Sequence, residues 1–274
     1  SGIGSAGISP SPSLSTVSSC AISVPPDEVF HSSKHASKSL RRMCDFYSAQ
    51  QLCDVTLVAS GRKFHAHRLV LSAASDYFAA MFTSGLAEAK QEEVSLPHID
   101  PDCLDILLRY CYTGELEVKE SSVENLFSTA HQLLLSEVVK VCCDFLASQL
   151  HPTNCIGIQL FADSQGCSDL LDVAQQYTAQ HFSEVCSQQE FVQLRLPEVQ
   201  RLLSSDDLNI CSEETIMQAV TVWLEHDAKN RAQHASTMLG LVRLPLLRPQ
   251  FISDHVESNL LYSEDLKCQK LLLE

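Results

Sequence analysis

No two of the 12 cysteines stand in a C-x-x-C pair, the spacing a zinc knuckle or dithiol redox motif needs, so no metal site is expected. Neither a signal-peptide pattern nor an apolar run near membrane length occurs, so neither disulfide scaffolding nor a membrane partner is expected. Basic charge is also short: 19 Lys and Arg against 34 Asp and Glu leave a formal net charge of −15. That argues against a nucleic-acid partner, which needs a clustered basic face. The densest basic groups, Lys38-Ser39-Leu40-Arg41-Arg42 and Gly61-Arg62-Lys63, are too short to reverse it. G-x-S-x-G, H-E-x-x-H and a phosphate loop are all missing, so no catalytic residue and no cofactor is expected.

What is present is apolar enough for about two domains: 274 residues, 45% hydrophobic and 19% charged. Cys111, Cys155 and Cys186 sit among apolar neighbours and read as reduced thiols used as small core residues in a cytoplasmic protein. Residues 1–27 are rich in Ser, Gly and Pro without period and read as a disordered head. Within it Gly2-Ile3-Gly4-Ser5-Ala6-Gly7 matches the dinucleotide fingerprint, but no strand precedes it, so the match is accidental. The chain begins without Met and stops inside a helical pattern, so it reads as a piece of a longer protein.

The informative stretch runs from Asp54 to Phe82. Asp54–Val58 is a β-rich run, Ser60-Gly61-Arg62 supplies a tight turn, and Phe64 and Ala66 alternate with polar residues on a returning strand. Leu69, Val70, Ala73 and Ala74 then fall at helical spacing, and Ser75 or Asp76 caps a short helix carrying Tyr77, Phe78, Met81 and Phe82. Before this block, Ala36, Leu40, Met43, Cys44 and Tyr47 predict an amphipathic helix within about 29–51. After it come a strand at Glu93–Leu96, a helix opened by Asp100-Pro101 and closed by Gly114, and helices around 123–134 and 137–150. Strands followed by helices indicate an α+β domain over 28–150. From His151 onward only helical patterns appear, with Asn154 as an expected N-cap, Gly166 as a break, and Pro197, Asp206-Asp207, Pro245 and Pro249 as punctuation. Residues 151–274 therefore read as an all-α domain.

FHAHRLVLSAASDYFAAMF resembles the heart of the BTB (POZ) domain, a dimerising interaction module, and the resemblance covers roughly 30–150. HPTNCIGIQLFADSQGC, HFSEV, SSDDLNICSEE, AVTVWLEHD, VRLPLL and CQKLLLE resemble, in order and spacing, the BACK domain that follows BTB in kelch-like proteins. The resemblance implies a non-catalytic substrate adaptor of a cullin-3 RING ubiquitin ligase, with a kelch propeller beyond the chain holding a protein substrate. It implies a homodimer whose interface draws on Leu40, Met43, Tyr47, Asp54 and Arg68, the last two as a partly buried charged pair. The hydrophobic-x-Glu motif of cullin-binding relatives falls on Leu86-Ala87-Glu88, two same-facing side chains on an extended connection. Leu135-Ser136-Glu137 and Leu196-Pro197-Glu198 match the same bare pattern, so position carries the assignment. Asn154, Ile158, Phe161 and Leu170 are the candidates to line the groove for the cullin N-terminal extension.

Structural readings compete elsewhere. His65-Ala66-His67 lacks further ligands and reads as structural, and Asp206-Asp207 and Glu213-Glu214 read as helix-start acids. Cys142 is the candidate reactive thiol, since Lys140 stands two residues away and some kelch-like relatives sense electrophiles in this helix; core packing is the competing reading. Two other functions remain open: a transcriptional regulator recruiting co-repressors, and an actin scaffold without ubiquitin transfer.

Overall fold

A computed structural model describes Gly2, residues 30–84 and residues 91–273. The expected disordered head, its glycine motif and Leu86-Ala87-Glu88 lie outside the described residues. The elements are α1 (His35–Ser48), β1 (Val55–Ala59), β2 (Arg62–Ala66), α2 (Arg68–Ala74), α3 (Asp76–Thr83), β3 (Glu93–Ser95), α4 (Pro101–Thr113), α5 (Val123–Gln132) and α6 (Ser136–Ser148). There follow α7 (Cys155–Gln165), α8 (Ser168–Gln180), α9 (Phe182–Val185), α10 (Gln189–Gln193), α11 (Leu196–Leu203) and α12 (Glu213–His226). The chain closes with α13 (Ala228–Arg231), α14 (Ala235–Leu239), α15 (Pro249–Phe251), α16 (Leu260–Ser263) and α17 (Leu266–Leu273). An α+β unit is thus followed by helices, as the sequence predicts.

The sheet order is β2-β1-β3, with β1 antiparallel to β2 and parallel to β3. Ser60 and Gly61 both take positive φ, 48° and 82°, the backbone of a two-residue hairpin turn, which sets the register Ala59↔Arg62. The parallel partner needs a long crossover, and α2 and α3 lie within it. Leu57, Phe64, Ala66 and Val94 are buried against Leu104, Leu107 and Leu108 of α4, which opens with Pro101 and ends at left-handed Gly114. Asp100 caps α4 by accepting from the backbone N–H groups of Asp102 and Cys103. Ser75 caps α3, accepting from Phe78 N–H at 3.2 Å, while its hydroxyl donates to Leu133 O at 2.6 Å.

Several expectations are corrected. Helix α1 is shorter than predicted because left-handed backbone at Gln50 and Leu52 follows its end. Of the residues at helical spacing in α2, Val70 is buried, together with Leu71, whereas Leu69 is 74% exposed. Asp206-Asp207 does not begin a helix: it lies in the turn between α11 and α12, where Asp206 pairs with Arg243 at 2.5 Å. Glu213-Glu214 does open α12, but its carboxylates serve distant groups. Buried Glu213 accepts from Arg243 N–H at 2.8 Å, and Glu214 receives a two-pronged contact from Arg248 at 2.6 and 2.8 Å.

Asn154 stands at the N-cap of α7 without capping it. Its side chain instead accepts from His151 N–H at 2.8 Å and donates to Gln149 O at 2.9 Å. The cap comes from another helix: Glu190 of α10 accepts from Gly157 N–H at 3.0 Å. A methyl at Gly157 would meet that carboxylate at 2.7 Å.

Two apolar clusters organise the chain. The first runs through β1, β2, β3 and α2 to α6 and takes in Ile158, Ala162, Leu170 and Ala174 from α7 and α8. The second contains Cys155 and Ile156 of α7 and the buried residues of α9 to α17. Helix α7 thus gives one face to each. Trp223 centres the second cluster, donating its indole N–H to Leu194 O at 2.9 Å while the Arg231 guanidinium lies 4.1 Å above its ring.

Gly157→Ala is expected to cost about 1 kcal/mol in urea unfolding through loss of the Glu190 cap. In a Glu190→Ala background most of that cost should vanish; an equal cost in both backgrounds refutes the capping account. Bonds from Arg195 and Arg248 hold the Glu198 and Glu214 carboxyls below the ordinary carboxylate range. A depressed acid stabilises the fold above its unfolded pKa and releases that stability as pH falls. Thermal midpoints should therefore drop between about pH 5 and pH 3. Glu214→Gln should start lower at neutral pH and fall less steeply; an unchanged slope contradicts the assignment.

Candidate functional site: a docking surface

The surface that the sequence singles out is assembled around His67, at the junction of β2 and α2. The Tyr112 hydroxyl of α4 accepts from His67 N–H at 2.9 Å and lies 2.7 Å from its ring Nδ1. The other ring nitrogen, Nε2, is 2.8 Å from Gln51 O. A carbonyl only accepts, so Nε2 carries the proton, Nδ1 is the acceptor and Tyr112 donates to it. His67 is thereby fully engaged, as the structural reading of the His65-Ala66-His67 pair expects. His65 contacts Thr56 Oγ1 at 3.0 Å. Among the described residues no group of three His, Cys, Asp or Glu side chains is placed to hold a metal ion.

The Tyr112 ring continues the connection to α1, stacking on Tyr47 with centroids 4.2 Å apart and planes 13° from parallel. Burial pushes the Tyr47 hydroxyl up to about 12. Tyr47, Leu40 and Cys44 are only half-buried, Met43 is exposed, and α1 contains no fully buried residue. The expected dimer residues of α1 thus form an apolar face that the single chain covers only in part.

Asp54 and Arg68 meet, but not as a partly buried charged pair. Asp54 is exposed, and its Oδ1 accepts from the backbone N–H of Arg68 at 2.7 Å. The guanidinium Nε donates to Asp54 main-chain O at 3.2 Å. A second guanidinium nitrogen donates to Gln91 O at 2.5 Å, and the group lies 4.7 Å over the Phe82 ring. Phe82 and Gln91 flank the connection that carries Leu86 and Glu88, so one arginine grips both of its ends. Sequence reasoning assigned Arg68 a different role; Phe82 and Gln91 carry no signal that would pair them with it.

The look-alike motifs have structural occupations. Glu137 accepts from Tyr110 OH at 2.8 Å, and Glu198 reaches back to Arg195 N–H at 2.9 Å as a capping box. The groove candidates take two kinds of place. Ile158 and Leu170 are buried in the first cluster, and Phe161 packs edge-on to Phe127 at 5.3 Å, so these three hold α7 and α8 against the α+β unit. Asn154 organises the turn before α7. An open cleft does exist nearby, between α7, α10 and α11, lined by Ile156, Leu160, Glu190, Leu194, Arg195 and Arg201. None of the four expected residues lines it.

Of the two readings of Cys142, core packing is the one that its surroundings favour. Its side chain is fully buried, and loss of solvent pushes the thiol up to about 11, opposite to the lowering that Lys140 suggested. Cys111, Cys155 and Cys186 are buried, as expected of core thiols. The second basic group is divided among acids: Arg62 pairs with Asp102 at 2.9 Å and Lys63 with Glu93.

Comparison with known proteins follows the same division. The BTB/POZ domain family matches residues 43–150, and the family described as "BTB And C-terminal Kelch" (BACK) matches 155–257. Human Kelch-like protein 5 is 50% identical over 264 residues, covering 96% of this chain and 35% of the relative. Human Kelch-like protein 4 is 49% identical over 248 residues, covering 90% of this chain and 34% of the relative. The chain therefore spans about a third of the length of these relatives. Among solved structures, the BTB domain of zebrafish PATZ1 aligns at 26% identity with a TM-score of 0.42, covering 45% of this chain and 100% of its own.

Tyr112→Phe keeps the stack on Tyr47 and removes only the hydroxyl. Leaving His67 N–H and Nδ1 unpartnered should cost about 1–3 kcal/mol in urea unfolding, with the near-ultraviolet tyrosine signal retained. A change below about 0.3 kcal/mol would show that the hydroxyl does not anchor the junction.

Proposed function

This chain is a BTB domain followed by a BACK domain of the kelch-like kind, and we propose that it is the dimeric adaptor that attaches a cullin-3 scaffold to a ubiquitin-ligase substrate. The observation that carries the reading is the Arg68 clamp, which fixes both ends of the connection bearing Leu86 and Glu88. On this reading Leu86 fills a pocket on the cullin N-terminal domain and Glu88 accepts a charge-assisted hydrogen bond beside it. Arg68 makes the motif effective by limiting the entropy lost when the connection docks. Ile158, Phe161 and Leu170 act from behind, by holding the first BACK helices in place, rather than by touching the partner.

The half-exposed α1 face, with Leu40, Met43 and Tyr47, pairs with its copy across a two-fold axis. Two copies hold two scaffolds, and the chemistry belongs to the enzymes that they bring together. The adaptor acts by effective concentration: a tethered substrate lysine and a charged ubiquitin carrier meet within one assembly rather than by diffusion.

Titration of the purified chain with the cullin-3 N-terminal domain tests this. Sub-micromolar affinity is expected, weakened about tenfold or more by Leu86→Ala and by Glu88→Ala. Arg68→Ala should weaken it by a similar factor while sedimentation still reports a dimer. Absence of binding by the parent chain, or full affinity in all three variants, refutes the adaptor reading.

A further inference from the structure

Helix α6 ends the α+β unit, and the turn between α7 and α8 is the first reversal of the helical part. Cys143 on α6 and Cys167 in that turn face each other with sulfurs 3.3 Å apart. Both side chains are half-buried, and among the described residues no other two thiols stand this near.

Their placement is built into rigid backbone. Cys143 lies within a regular 13-residue helix. Cys167 is held by the stop of α7: Gly166 takes φ +67°, its N–H bonds to Asp163 O at 3.2 Å, and the Cys167 N–H bonds to Ala162 O at 2.9 Å. That pair of bonds is a Schellman turn, closed by the glycine and fixing the residue after it. Cys167 is also the N-cap of α8. Both side chains pack against the first cluster.

We propose that Cys143 and Cys167 form a dithiol modification site, closed by peroxide into a disulfide that staples the last BTB helix to the first BACK turn. A bond between sulfurs needs about 2.05 Å, so roughly 1.2 Å of approach is required, within the reach of side-chain rotation. In the first step the Cys167 sulfur attacks one peroxide oxygen; the O–O bond breaks, water leaves, and a sulfenic acid remains. The Cys143 sulfur then displaces hydroxide from it; its own proton leaves with that hydroxide as a second water. Two thiols lose two electrons and one peroxide gains them.

Burial and the facing thiol push Cys143 up to about 12, so the attack on peroxide is assigned to Cys167, and Cys143 reacts second through its closeness to the sulfenic acid rather than through an acidic thiol. The site is independent of the cullin reading, since neither thiol lies on the Leu86–Glu88 connection. The link would close a loop across residues 143–167, a span that includes the whole of α7.

The test is oxidation of the purified, folded chain with hydrogen peroxide, followed by alkylation and non-reducing peptide mapping. Trypsin leaves both thiols on one peptide, since no Lys or Arg lies between Val141 and Arg195, so chymotrypsin is used. The expected product joins the peptide containing Cys142 and Cys143 to the one containing Cys167, reversibly with dithiothreitol. Cys143→Ser should abolish it and Cys142→Ser should not. The oxidised parent should melt on the order of 5–10 °C above the reduced one, and Cys143→Ser should show no such shift. Thiols that remain separately alkylatable after oxidation, or a link that survives Cys143→Ser and is lost in Cys142→Ser, would overturn the proposal.

Discussion

The bond on which the α+β unit turns is the one between Tyr112 and His67. One phenol accepts a backbone N–H, donates to an imidazole and stacks on Tyr47, while the imidazole's second nitrogen holds Gln51 O. Four segments meet there: the end of α1, the strand-to-helix corner after β2, the start of α2 and the last turn of α4. Because the corner is fixed, Arg68, the very next residue, emerges at a set angle. It can then reach Asp54, Phe82 and Gln91 at once. A partly buried polar triad of this kind is stabilising only when every member is satisfied, and here each is.

The helical part is joined to this unit by shared packing rather than by a linker. Ile158 and Ala162 look toward the sheet side, Cys155 and Ile156 toward Trp223 and its surroundings. The Gly157–Glu190 contact braces the same helix from the far side. The position of the second part is thereby fixed by burial, which suits the proposed adaptor role.

Much of this was legible in the residues. Strands, the hairpin turn, the Ser75 and Asp100 caps and the glycine stops at Gly114 and Gly166 are local signals, each with its own stereochemical cause. What escaped was non-local. Leu69 has the right period for burial, but α2 is short and its inner face is filled by Val70 and Leu71, so the outward side remains bare. Asn154 has cap chemistry, yet the turn from Gln149 to His151 engages its side chain first. Three of the four groove candidates, Ile158, Phe161 and Leu170, carried apolar character that fits core as well as groove, and they pack in or against the first cluster. In the vicinal pair the sequence drew attention to Cys142 because of Lys140; the residue with a facing thiol is Cys143, and nothing local announces a partner 24 positions away.

The two-faced nature of α7 has a practical corollary for anyone dissecting the chain. A piece cut at the family boundary near 150 would present Phe127 without Phe161 of α7, and α6 without the α8 that packs on it. Such a bare wall invites self-association in a test tube and would mimic a genuine oligomer. Extending the cut past α8 carries the lid along with the wall. The smallest honest unit of the first half is therefore longer than its name, and the excess is borrowed from its neighbour.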